Sequence, residues 1–230
     1  VTSTHDIFVC ASAGNHAQGV AFMCRHFGVK GVVFMPVTTP EQKVMKTQMF
    51  GGTHVEIRMV GDYFDETLKA SQKYCSEQSA YFLSPFDDED VIEGQASVAV
   101  EIEEQLGRVP DHIVLPVGGG GLSAGTFSYF GDDCAYTFVE PTGAQSLKVA
   151  VDAGEPMTVS KVDTFVDGAA VARIGERTFA RLKGIDGSTV LHLDEDRICN
   201  TILEMLNVEG IVLEPAGAMS IEVLSEILDQ

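Results

Sequence analysis

Two short stretches of this sequence carry residue types and spacings suited to holding a charged small molecule. The first is Gly118-Gly119-Gly120-Gly121 with Leu122 after it, set between an apolar run and a helix-like pattern. Glycine is 23 of 230 residues, so four in a row have a chance of roughly 0.02 anywhere in the chain, and something demands them. Missing Cβ atoms let main-chain N–H groups close on an anion, and a helix starting at the same point adds partial positive charge. A phosphate fits that description. The same residues support a rival: Gly119, Gly121 and Ala124 satisfy GxGxxA after a strand, with Glu140 about twenty residues on, where an acid binding a dinucleotide ribose would sit. A tight strand-to-helix turn with no ligand is a third reading.

The second stretch runs from Cys10 to Gly19. Ser12, Ala13, Gly14 and His16 form a small-residue turn at a helix start, whose N–H groups suit a carboxylate, and Asn15 offers an amide to an uncharged or phenolic oxygen. One loop for a carboxylate and one for a phosphate suggest a phosphorylated cofactor holding an amino acid. Ser12 and His16 also invite a nucleophile reading, but no orienting acid accompanies them and no GxSxG is present.

These loops need elements to hold them, and strand-like runs alternate with longer helical patterns throughout, without a fixed repeat. Strands are expected at 7–11, 31–35, 55–59, 113–117, 137–140 and 189–193, and helices at 16–27, 62–79, 91–106, 175–182, 196–206 and from about 217. Thr39, Pro40 and Gln42 predict a capping box opening a further helix that stops at Gly51-Gly52, and Phe64, Leu68 and Tyr74 are expected on the inner side of the 62–79 helix. Such alternation predicts an α/β fold of two open, mainly parallel sheets covered by helices. The polar, proline-containing segment 84–90 divides the chain into a small lobe, 1–86, carrying the asparagine loop, and a large lobe, 87–230, carrying the tetraglycine loop.

Composition narrows the partners. Hydrophobic residues at 45% and charged residues at 21% predict a folded globular chain, not a disordered one. Thirty-four acidic against fifteen basic side chains give a net charge of −19, which repels phosphate backbones and anionic lipid, so neither nucleic acid nor membrane is expected as a partner. Five widely spaced cysteines without a CxxC pair predict free thiols, with the cytoplasm as the compartment, and no metal site is assigned. Neither a signal peptide nor a membrane span is expected.

Ser12-Ala13-Gly14-Asn15-His16-Ala17-Gln18-Gly19, Pro85-Phe86-Asp87-Asp88, Gly94-Gln95, the 118–122 run, Asp167-Gly168-Ala169-Ala170-Val171 and Glu214-Pro215-Ala216-Gly217-Ala218 occur in the order seen in the serine/threonine dehydratase family. The chain resembles these pyridoxal-phosphate enzymes of fold type II over nearly its whole length, and most of all their biosynthetic threonine deaminase branch. The resemblance implies that Gly118, Gly119, Gly120, Gly121 and Leu122 cradle the cofactor phosphate. It also implies that Asn15 bonds the pyridine 3′ oxygen, that Glu214 lies near the ring, and that Ser12, Ala13, Gly14 and His16 receive the substrate carboxylate. The implied chemistry is β-elimination from L-threonine to 2-oxobutanoate and ammonia, as in isoleucine biosynthesis, by a homo-oligomer. A catabolic serine/threonine dehydratase, a serine racemase, a catalytically dead paralogue and the dinucleotide-binding module are the alternatives.

In that family the Schiff-base lysine lies upstream of the asparagine loop. Here the first lysine, Lys30, already follows it, so no catalytic lysine is nominated and this chain by itself is expected to be inactive.

Overall fold

The computed structural model describes residues 5–62 and 64–228, and of Asp65 only the backbone. The expectations for the first six residues and for the 62–79 helix lie in part outside these residues. The chain divides into two compact units, the boundary falling between Pro85 and Phe86.

In the first unit β1 (Ile7–Ala11), β2 (Lys30–Met35), β3 (Val55–Met59) and β4 (Tyr81–Phe82) form a parallel sheet in the order β3-β2-β1-β4. Val9 lies opposite Val32 and Phe34 opposite Arg58. Side chains alternate between faces. Phe8, Cys10, Val33 and Met35 pack under Ala17, Val20, Ala21 and Cys24 of helix α1 (Asn15–Phe27), while Val9, Ala11, Val32 and Phe34 meet Cys75 and Leu68 of α3 (Phe64–Gln78). Burial on both faces explains why β1 and β2 are continuously apolar rather than alternating. The chain steps from β1 outward to β2 and β3, then returns to place β4 on the other side of β1. That reversal puts the loop after β1 at the topological switch point, where open α/β sheets bind ligands.

In the second unit β5 (His112–Pro116), β6 (Ala135–Pro141) and β7 (Val190–Leu193) form a parallel sheet in the order β5-β6-β7. One core joins Ile113, Leu115, Phe138 and Val190 to Phe130 of α5 (Gly121–Phe130), Leu147 of α6 (Ser146–Ala153) and Phe179 and Leu182 of α7 (Glu176–Leu182). The other joins Val139 and Leu193 to Ile198 of α8 (Glu195–Glu204) and Ala218 and Met219 of α9 (Pro215–Glu222). Helix α4 (Glu89–Leu106) is capped by Asp88, whose Oδ1 accepts from Asp90 N at 2.9 Å. It lies so close to α5 that a Cβ on Gly125 would stand 2.7 Å from both Ala96 N and Ile92 O. Among the described residues no helix is long and apolar enough to cross a membrane.

Two local expectations fail. The capping box is absent: helix α2 (Glu41–Gly51) has Pro40 at its N-cap with ψ 136°, no side chain caps it, and the Thr39 hydroxyl is buried without a partner. Pro40 itself stays extended, so the helix opens one residue later than the box requires, and the Thr39 N–H is drawn into a turn by Pro36 O at 3.0 Å. Phe64 is 43% exposed, because the inner face of α3 is Thr67, Ser71 and Cys75. Hydroxyls serve there since the backbone satisfies them: Thr67 donates to Val60 O and Ser71 to Leu68 O, both at 2.7 Å. Helix α6 and strand β4 are not among the expected elements.

All five cysteines are free, and burial pushes the thiols of Cys24 and Cys75 up to about 11 and that of Cys10 higher still. The α4–α5 contact yields a first prediction. Since the atoms facing Gly125 are backbone and cannot turn aside, Gly125→Val destabilises the protein by about 1–3 kcal/mol, read as a lowered urea midpoint, whereas Gly94→Ala, in the interior of α4 with open space around its Cβ, raises the midpoint by the equivalent of about 0.5–1 kcal/mol.

Candidate cofactor site

Strand β5 stays in register one residue past its end, the Val117 N–H donating to Val139 O at 2.8 Å, and the chain then enters the tetraglycine turn. Each glycine is demanded by its surroundings. A Cβ on Gly118 would meet Ala169 Cα and Gly168 O at 3.0 Å, one on Gly119 would stand within the Phe86 ring, and one on Gly121 would press on Phe86 Cβ at 3.2 Å. Gly120, the N-cap of α5, has φ +87°, a left-handed conformation that side chains disfavour.

The carbonyls of this turn are tied down. Gly118 O accepts from Ser146 Oγ at 3.1 Å, Gly119 O from Thr178 Oγ1 at 2.8 Å and Gly175 N at 3.3 Å, and Gly120 O from Ala124 N at 2.8 Å. Trans peptides carry C=O and N–H on opposite edges, so the N–H groups of Gly119, Gly120 and Gly121 point away from these anchors. Among the described residues nothing accepts those N–H groups or that of Leu122. The Ser123 hydroxyl, on a residue only 1% exposed, is likewise buried without a partner. A cluster of unaccepted donors at the start of a ten-residue helix fits a phosphate, whose oxygens are all acceptors.

Neighbouring motifs shape the same turn. Phe86 supplies the ring against Gly119, and Asp87 Oδ1 accepts from Arg177 N at 2.7 Å, capping α7 from ninety residues away. Gly175 is glycine because a Cβ there would lie 2.6 Å from the Asp87 carboxylate. Gly168 and Ala169 back Gly118, and a Cβ on Gly168 would reach Ala216 Cβ at 3.0 Å and Glu214 Oε1 at 3.9 Å. Thus Asp167-Gly168-Ala169, Glu214-Pro215-Ala216 and the tetraglycine turn come together. Glu214 itself is exposed at the N-cap of α9. Ser146 and Thr178 escaped the sequence reading. Ser146 opens the overlooked helix, whose apolar 147, 149, 150 and 151 and terminal Gly154 were the available signal.

In the first unit the Ser12 N–H donates to Phe34 O at 3.1 Å, and the Ser12 hydroxyl accepts from Gly14 N at 3.2 Å. Among the described residues nothing accepts the N–H of Ala13 or His16. Gly14 is the N-cap of α1, with open space where a Cβ would stand, so packing does not require a glycine there. Asn15, first in the helix, is exposed. The His16 Nε2–H donates to Leu83 O at 3.2 Å, and burial lowers its affinity for a proton. Ser12 and His16 are therefore each engaged within the unit, and no Ser-His pair forms.

Glu140 does not serve a ribose. It is fully buried at the end of β6, and its two oxygens accept from Leu147 N at 2.7 Å and Lys148 N at 2.9 Å, capping α6. His192 Nε2 stands 3.9 Å from Oε2. Burial pushes the Glu140 carboxyl up to about 7, outweighing the main-chain hydrogen bonds from Leu147 and Lys148 that pull it down. The dinucleotide reading loses its acid. Among the described residues no three His, Cys, Asp or Glu side chains gather as a metal site.

Fold and site together define a parallel α/β protein with a turn of unaccepted main-chain N–H groups at the start of a helix. The sequence matches the pyridoxal-phosphate dependent enzyme family over residues 3–230, and the chain belongs to that family. It is 44% identical to the biosynthetic L-threonine dehydratase IlvA of Bacillus subtilis over 230 residues, which are 99% of this chain and 54% of that protein. The processed form of threonine deaminase isoform 2 from Solanum lycopersicum superposes with a TM-score of 0.90 at 33% identity, covering 100% of this chain and 63% of that one. Maize serine racemase gives 0.88 at 25% identity, covering 100% and 69%. The chain thus spans about half the length of the curated relatives it matches.

The buried carboxyl gives a second prediction. Between pH 4.5 and about 7 the folded Glu140 keeps a proton that the unfolded chain has shed, so its contribution to stability is complete below 4.5 and is lost as pH rises to about 7. Urea midpoints across this range, compared between wild type and Glu140→Gln, differ with a slope approaching about 1.4 kcal/mol per pH unit, and the slope is absent above pH 8.

Proposed function

We propose that the protein carrying this chain is a pyridoxal-phosphate-dependent ammonia-lyase that converts L-threonine to 2-oxobutanoate and ammonia in isoleucine biosynthesis. The observation that carries the reading is the buried tetraglycine turn, its carbonyls anchored and its N–H groups unaccepted, in a chain of the pyridoxal-phosphate family. Similarity to the Bacillus subtilis threonine dehydratase supports the choice of substrate. When bound, the cofactor supplies an electron sink for bonds broken at an amino acid Cα.

The residues of this chain would divide the work. The N–H groups of Gly119, Gly120, Gly121 and Leu122 hold the phosphate, with Gly118 setting their direction. The turn of Ser12, Ala13, Gly14 and His16 takes the substrate carboxylate through the Ala13 and His16 N–H groups, with Ser12 and Gly14 holding its shape, helped by the N-terminal dipole of α1. His16 contributes its N–H and not its ring, which stays neutral and bound to Leu83 O. Asn15 offers its amide to the ring oxygen of the cofactor, and Glu214 stands near the ring. The reading extends to a cytoplasmic homo-oligomer acting on a small amino acid, supported by the five free thiols and by apolar side chains such as Phe22, Phe27, Met45 and Met49 left exposed on α1 and α2.

Assays of the protein with pyridoxal phosphate test this reading. Threonine is consumed with at least about tenfold higher kcat/KM than serine, and 2-oxobutanoate and ammonia appear in equal amounts. Serine turned over faster, or D-serine formed, would favour a catabolic dehydratase or a racemase instead. Gly119→Ala, which forces a methyl against Phe86, weakens cofactor binding by at least about tenfold in equilibrium dialysis.

A further inference from the structure

Gly118 is the one residue of the tetraglycine turn whose carbonyl is held by α6, and α6 is itself held in an unusual way. Its N-cap residue, Gln145, makes no side-chain cap bond, and its first turn carries no acid. The cap comes from the sheet: Glu140, at the end of β6, takes the N–H groups of Leu147 and Lys148. Ser146, the first residue of α6 and fully buried, then donates its hydroxyl to Gly118 O. A single buried line therefore runs from strand to helix to loop.

We propose that Glu140 and Ser146 are positioning residues for the phosphate cradle, Glu140 fixing the start of α6 and Ser146 transmitting that position to the Gly118–Gly119 peptide. This rests on the reading of the turn as a cofactor-phosphate site. The physical step is the planarity of that peptide: with Gly118 O tied to Ser146, the Gly119 N–H has one direction, and with the tie cut the peptide can rotate between two glycines that impose little torsional resistance. The next peptide is anchored separately, by Thr178 and Gly175 on Gly119 O, so the two restraints are distinguishable by mutation.

The test uses pyridoxine 5′-phosphate and pyridoxine, which share a ring, lack the aldehyde and differ in the phosphate. Wild-type protein binds the phosphorylated compound more tightly. Ser146→Ala and Glu140→Gln each lose about tenfold in affinity for it and keep their affinity for pyridoxine. The Glu140→Gln/Ser146→Ala double variant loses no more than the weaker-binding single, as two links of one chain must, whereas Thr178→Val combined with Ser146→Ala multiplies the losses. The Gly119 amide resonance also moves in Ser146→Ala without any ligand. Should Glu140→Gln fail to fold, Glu140→Asp replaces it in the double variant. Parallel loss of both ligands, multiplied losses in the Glu140/Ser146 double variant, or a stationary Gly119 resonance would each overturn the proposal while leaving the cradle standing. Equal wild-type affinity for the two compounds would instead bring down the cradle reading itself, and the proposal with it.

Discussion

A peptide group has a donor on one edge and an acceptor on the other, and fixing either edge aims the opposite one. The second unit is built around that constraint. Ser146, Thr178 and Gly175 seize the carbonyls of Gly118 and Gly119, and the donors of the following residues are left to face elsewhere. Burying unaccepted N–H groups is costly, and proteins seldom leave them so without a partner that comes and goes. The glycines follow from the same arrangement. Carbonyl anchors and the Phe86 ring crowd the turn from behind, and no side chain fits between.

The sheets explain where this happens. In parallel sheets every strand delivers its chain to the same end, and the helix that follows begins there with its amide hydrogens exposed. In the first unit the loop after β1 gains a further distinction, since β2 and β4 flank β1 and the chain leaves in opposite directions on its two sides. The anchoring of His16 on Leu83, just past β4, belongs to that reversal. A ring so fixed orients the start of α1.

The alternation of apolar strands and helical stretches was legible because burial on both faces of a parallel sheet leaves uninterrupted runs such as Phe8 to Ala11 and Val32 to Met35. The tetraglycine turn was legible because nothing but close backbone packing calls for four glycines. What escaped notice was polar and small. Thr67 and Ser71 hold the inner face of α3 through bonds to main-chain carbonyls, Val60 O before the helix and Leu68 O within it, which hydrophobic patterning cannot detect. Glu140 sat at a spacing that also suits a ribose, and only three-dimensional proximity to Leu147 and Lys148 reveals a helix cap. Thr39 before Pro40 shows the opposite error, a local signal that fails because Pro40 stays extended and the helix opens one residue later.

The stretch Phe86-Asp87-Asp88 serves three helices at once: its ring abuts the glycine turn that opens α5, its second residue caps α7, and its third caps α4. Surface connections between elements ordinarily absorb insertions and deletions without harm. Here adding or removing one residue would rotate each of the three groups onto its neighbour's partner. What looks like a connecting segment therefore behaves as a ruler, and its length should be as invariant in evolution as the chemistry it frames.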